Sequence, residues 1–227
     1  MNLAQLQAAV ITETNRPDLV AETLQSVLEA TLSCHTLENF KKDLAEATVV
    51  FDTPTSYIQK LDTTTIPYFR SMHYIRKTNP LINAAEINNG LPPTTLYYPP
   101  DQFAPLVEID PTDLLDMYGY EKRDVWYQAG TSINIKSSTP LNYAVISWYK
   151  FPILDATGVL FNSWIANENP YVIVYKAAGT LFAKIGEDKS WAIYMKAPIP
   201  GRGNDTGGLY YQQLNTLLQN NISTRGF

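Results

Sequence analysis

Any chemistry in this chain would have to come from few reactive side chains: two histidines, His35 and His73, and one cysteine, Cys34. The stretch SCH at 33–35 sets a thiol beside an imidazole, the pair from which a thiolate nucleophile is made. Adjacent residues on a helix point in different directions, so the spacing predicts a small buried thiol at a helix end instead. Neither histidine has a second His, Cys or carboxylate at metal-ligand spacing. The densest carboxylates are Glu108, Asp110, Asp113 and Asp116, in EIDPTDLLD. Paired acids are the apparatus of glycoside hydrolysis, but Asp beside Pro and Thr reads as turn and capping chemistry at a strand-to-helix corner. GRGNDTGG at 201–208 has the glycines of a phosphate loop but not its lysine, and it follows a helix rather than a strand. Tyr97-Tyr98, flanked by prolines, is either a sugar-stacking shelf or a packed loop anchor. The expectation is therefore a non-enzyme with no catalytic residue, no cofactor and no metal.

These residues sit in a chain long enough, at 227 residues, for one large domain or two small ones. Hydrophobic residues make up 45% and charged residues 17%, which predicts a globular core rather than disorder. A net charge of −5 argues against a dedicated nucleic-acid binder, which carries a basic face. A lone cysteine excludes an intramolecular disulfide and fits synthesis in a reducing cytosol. Met1–Thr14 has glutamines and no basic stretch, so no secretory signal is expected, and no apolar run is long enough to span a bilayer. Fifteen tyrosines point to interfaces or to a strand-rich core.

The hydropathy period divides the chain. Leu3, Leu6 and Val10 recur at helical spacing after Asn2, a candidate N-cap. In NRPDLVAETLQSVLEAT, Pro17 and Asp18 suit a helix start, and Val20, Leu24, Val27 and Leu28 form a stripe. The middle is β-branched and aromatic. RDVWYQAGTSINIK predicts a hairpin with strands 124–128 and 132–136, and NYAVISWYKFP a central strand, apolar on both faces. Residues 79–100, rich in Asn, Pro and Gly, read as a long loop. Asn169-Pro170 opens a helix whose stripe is Tyr171, Val174, Tyr175, Ala178, Phe182 and Ile185, and Gly186 closes it. A short helix in EDKSWAIYMK and a last one bearing Tyr210, Leu214, Leu217 and Leu218 follow. The order predicts an α+β fold: a helical bundle from both chain ends, an inserted β-rich domain and an extended C-terminal arm. The expected boundaries are 1–44, 45–156, 157–200 and 201–227.

Four stretches together resemble the head-to-tail adaptor (connector) proteins of bacteriophages. They are NRPDLVAETLQSVLEAT, the strand ending WYKFP at Trp148–Pro152, SWIANENP, and the alanine-rich YVIVYKAAGTLFAKIG. The resemblance implies a structural protein at the head–tail junction of a virion, made in the host cytoplasm. It implies a homo-oligomeric ring of about twelve copies, with a portal protein above and a tail or nozzle protein below. Genomic DNA would pass through the channel without sequence-specific binding, and no membrane is involved. It further implies that residues 201–227 reach the portal. The glycines would release a helix in which Tyr210, Tyr211, Leu214, Leu217 and Leu218 supply apolar contact. Arg202 and Arg225 would pair with portal carboxylates, and Phe227 would be a terminal anchor. The other reading of that helix is that it packs on its own chain. Two further functions stay open: a tail-associated carbohydrate- or receptor-binding module, and a tail glycosidase needing two carboxylates about 5–10 Å apart.

Overall fold

The computed structural model describes residues 1–52, 56–77, 105–141, 143–198 and 207–221. The chain forms two compact units, one from residues 1–43 and 151–227, the other from residues 44–150.

The first unit holds six α-helices among the described residues: α1 (Leu3–Thr14), α2 (Val20–Thr36), α3 (Trp164–Glu168), α4 (Pro170–Ile185), α5 (Asp188–Met195) and α6 (Leu209–Asn221). Local chemistry explains several ends. Asn2 caps α1 with a full capping box, its side chain accepting from Gln5 N–H while Gln5 reaches back to Asn2 N–H. Pro170 begins α4, and Gly186 ends it in the left-handed region at φ 76°. Pro17 does not begin α2; that helix starts at Val20, which stays half exposed. Its buried face is Thr23, Ser26, Val27, Ala30, Thr31 and Cys34, narrower in side-chain size than the predicted stripe and suited to close approach against α4.

The expected fold class is corrected here: this is a mixed α+β fold with six helices and two separate sheets, and its helices do not form the predicted bundle with an extended arm. The reason lies in α4. Its buried residues are Val172, Ile173, Val174, Ala177, Ala178, Gly179, Leu181 and Phe182. At 100° per residue they fall on every side of the axis rather than on one stripe. Such a helix needs cover all round, and α1, α2, α3, α5 and α6 each pack on it. Helix α6 therefore folds back onto α4 and α5.

The second unit is a two-sheet sandwich. Its strands are β1 (Leu44–Val50), β2 (Ile58–Asp62), β3 (Phe69–Lys77), β4 (Val107–Glu108), β5 (Val125–Ala129), β6 (Ser132–Lys136) and β7 (Tyr143–Lys150). One sheet has the order β1-β7-β3 and the other β2-β6-β5-β4, and all pairs are antiparallel except β4 with β5. The β5–β6 hairpin turns at Gly130, in the left-handed region at φ 61°. Alternation points Ile133 and Ile135 inward to meet Ile75, Ala144, Ile146 and Trp148 of the other sheet. Each fully buried Ile contributes about 1.5–3 kcal/mol.

The path into α6 depends on close backbone contact. Gly207 has φ 72°, Gly208 N–H donates to Lys196 O at 2.8 Å, and a Cβ on Gly208 would stand 2.5 Å from Tyr194 O. These glycines are seats rather than hinges. Gly208→Ala forces backbone apart and is expected to lower stability by about 1–3 kcal/mol. An unchanged denaturant midpoint would show that α6 is not seated here.

Candidate functional site

The tertiary structure assembles one constellation that the sequence conceals. His35 lies at the last turn of α2, Asp43 in the 3-10 turn Lys41–Asp43, and Ser163 at the N-cap of α3. His35 Nδ1 is 2.9 Å from Asp43 Oδ1, and Nε2 is 2.9 Å from Ser163 Oγ. Trp164 Nε1–H also donates to Asp43 Oδ1, at 2.8 Å, and its ring sits edge-on to His35 and Phe40. The bonds are satisfied if Nδ1–H donates to Asp43 and the Ser163 hydroxyl donates to Nε2.

Ser–His–Asp in this connectivity is the arrangement of nucleophilic hydrolases. Two features point it elsewhere. His35, Asp43 and Ser163 are only 1%, 2% and 3% exposed, so no substrate reaches the serine. Ser163 Oγ is also the helix cap, accepting from Ala166 N–H at 3.1 Å. The network pins the end of α2, the turn at Asp43 and the start of α3 to one another. Eight and 128 residues separate His35 from its two partners, which is why no spacing motif reveals it. Ser163→Ala should cost about 0.5–2 kcal/mol through the lost cap. A fluorophosphonate probe should leave the wild-type protein unlabelled; stoichiometric labelling of Ser163 would make the site catalytic.

His73 occupies a different setting. Two bulges in β3 place Arg70 and His73 as extra residues against β7, and both flank the Tyr149 ring, each at 5.3 Å. Cys34 is fully buried in the helical core. Among the described residues no group of three or more His, Cys, Asp and Glu side chains could hold a metal. No helix there is long and apolar enough to cross a membrane.

Of the residues expected at the portal, Tyr210, Leu214 and Leu217 lie in the helical core, with Tyr211 and Leu218 packed against it. Lys176 Nζ sits 4.8 Å over the Tyr210 ring, and the Tyr210 hydroxyl is buried with no partner among the described residues. The apolar side of α6 is thus occupied inside its own chain. Arg202, Arg225, Phe227, Tyr97-Tyr98 and the 79–100 loop lie outside the described residues.

Burial pushes the Cys34 thiol up to about 12 and raises the Tyr210 phenol as well. Both stay protonated in the fold at pH values where the unfolded chain ionises. Their contribution is complete below about pH 8.5 and is lost as pH rises through the folded values. The denaturation midpoint should therefore fall above about pH 9, less steeply in Cys34→Ala, and a maleimide should not label the native thiol at neutral pH. Rapid labelling would show that the core around Cys34 opens.

The surface offers apolar groups on two constrained turns, both written Asp-x-x-Gly. In DMYG, Gly119 N–H donates to Asp116 O at 3.0 Å, and Asp116 Oδ1 accepts from Tyr118 N–H and Tyr120 N–H, both at 2.8 Å. In DATG, Gly158 N–H donates to Asp155 O at 3.0 Å, while the Asp155 carboxylate accepts from Thr157 N–H and Leu160 N–H. Asp at the first and Gly at the fourth position is a turn signature, and both glycines have positive φ. Met117, Tyr118 and Tyr120 are 88%, 77% and 73% exposed. Val159 and Leu160 are exposed as well. The capping chemistry expected in EIDPTDLLD is present: Asp110 caps the 3-10 turn and accepts from Thr112 N–H. The Asp-x-x-Gly spacing is the sequence signal that marks both turns.

No protein-family model matches the chain, and no curated protein matches it.

Proposed function

We propose that this chain is a structural head-to-tail adaptor of a bacteriophage virion. It joins copies of itself into a ring beneath the portal, extends the DNA channel and offers a docking surface to the tail. The observation that carries the reading is the pair of Asp-centred turns. Each holds large apolar side chains out in water on a hydrogen-bonded backbone. Exposed apolar side chains grouped on one turn suit a protein contact, and a pre-ordered turn loses little freedom when a partner covers it. The four stretches that resemble the adaptor family supply the kind of partner.

In this proposal the apolar face of α6 is not the portal contact, because Tyr210, Leu214 and Leu217 already serve the core. Contact falls to exposed groups instead: Met117, Tyr118 and Tyr120 on one turn, Val159 and Leu160 on the other. The exposed Tyr118 and Tyr120 also favour the second reading, a carbohydrate- or receptor-binding module, since tyrosine rings stack on sugars.

Electron microscopy of the purified protein, alone and mixed with portal, separates the two. Rings or portal-bound rings are expected. The triple variant Met117→Ser, Tyr118→Ser, Tyr120→Ser should keep its circular dichroism spectrum and weaken assembly by tenfold or more, about 1.4 kcal/mol. A protein that stays monomeric and ignores portal, yet binds glycans through these tyrosines, would replace the adaptor reading with the second one.

A further inference from the structure

The strand unit contains a pocket of about 440 Å³, within the range of small-molecule sites. Three chain segments meet there: Tyr57 before β2, Glu121–Arg123 before β5, and Lys136–Ser138 at the end of β6. Three cations and one carboxylate line it, in a chain whose net charge is −5. Glu121 is already matched by Lys136, at 2.9 Å. Lys122 and Arg123 have no carboxylate partner among the described residues; Arg123 has only the Tyr57 ring, 5.8 Å away. Two adjacent uncompensated cations in a concave site form an anion trap.

The wall behind them is built for rigidity. Asp124 follows Arg123 in the left-handed region, at φ 58°. It is held there by Lys77 Nζ at 2.7 Å, Ser138 N–H at 2.9 Å and the Ser138 hydroxyl at 2.7 Å. Strained backbone of this kind persists where its surroundings over-determine it, and it gathers at ligand sites. Because those contacts engage the Asp124 carboxylate, it does not neutralise Arg123. Ser137 is buried, its oxygen accepting from Thr139 N–H at 3.2 Å, and its hydroxyl proton has no acceptor among the described residues.

We infer that this pocket binds a small phosphate-bearing molecule. The guanidinium of Arg123 presents paired donors to two oxygens, and Lys122 supplies the second charge. A carboxylate carries one charge and would leave a cation unmatched; a phosphate dianion matches both. Tyr57 offers a flat apolar surface to a group attached to the phosphate. None of these residues belongs to the turns on which the adaptor reading rests, so this site stands or falls separately.

The test is calorimetric titration of the full chain with inorganic phosphate, AMP and acetate at constant ionic strength in a phosphate-free buffer. Saturable binding of phosphate and AMP, in competition, is expected, with acetate much weaker. Tighter AMP assigns a ring-bearing ligand that uses Tyr57, and equal affinities assign the free oxyanion; both support the site. Arg123→Ala and Lys122→Gln should each weaken AMP by about tenfold or more, with Arg123→Lys recovering part of the loss. Circular dichroism checks that the variants fold, and Lys122→Gln carries the test alone if Arg123→Ala does not. No binding up to about 10 mM, affinities unchanged in both variants, or acetate as tight as phosphate would each overturn the inference.

Discussion

The rest of the helical unit depends on the all-round burial of α4. An amphipathic helix needs one partner, but a helix with buried side chains on every side needs a shell. Five helices supply that shell, and they come from both ends of the sequence. This explains why α2 approaches through Thr23, Ser26 and Ala30, since small side chains let a helix come close. It also explains why Gly179 faces Met195 and Tyr194, where a Cβ would stand 2.2 Å from Met195 Cγ. With α6 removed, Tyr210, Leu214 and Leu217 would leave part of α4 bare. The demand for cover therefore holds the last described helix in place, and a free arm would contradict it.

Carboxylates in this protein do geometry. Asp43 receives the indole and the imidazole that fasten α2 to α3, and Asp110 caps a 3-10 turn. Asp116 and Asp155 close their turns by accepting backbone N–H groups, and Asp124 fastens two strand ends. Short acidic side chains reach nearby backbone donors easily, which is why they favour turns and caps. Two of the four acids in the dense run at 108–116, Asp110 and Asp116, are engaged in this way. Met117 and Tyr118 stand exposed on the turn that Asp116 closes. The tyrosines divide accordingly, with Tyr194 and Tyr210 in the core and Tyr118 and Tyr120 in water.

Several elements were legible because their causes are local. The capping box at Asn2, the Asn169-Pro170 start, the Gly186 stop and the β5–β6 hairpin all rest on interactions within a few residues. The strand 143–150 could be recognised as central because it is apolar on both faces, and it lies between β1 and β3. Helix α2 starts at Val20 and not at Pro17, because proline permits a helix start but does not require one. The stripe expected for α4 was misread for another reason. Alanine and glycine contribute little to a hydropathy pattern, yet Ala177, Ala178 and Gly179 are fully enclosed or in close contact.

By itself, the sequence determined element type, the Asp-x-x-Gly turns and the small stock of reactive groups, because each follows from bonds within one or two turns of chain. Tertiary structure decided what those pieces face. The pattern of Tyr210, Leu214 and Leu217 serves equally well for a partner groove or for the chain's own core, and only the uncovered side of α4 selects between them. His35, Asp43 and Ser163 meet because α2 and α3 cover the same helix, a condition carried by no one segment. Lys122 and Arg123 line a pocket because β5 and β6 bring their ends beside Tyr57. Contacts across such separations depend on loop closure and on summed burial over many residues, and no local pattern encodes either.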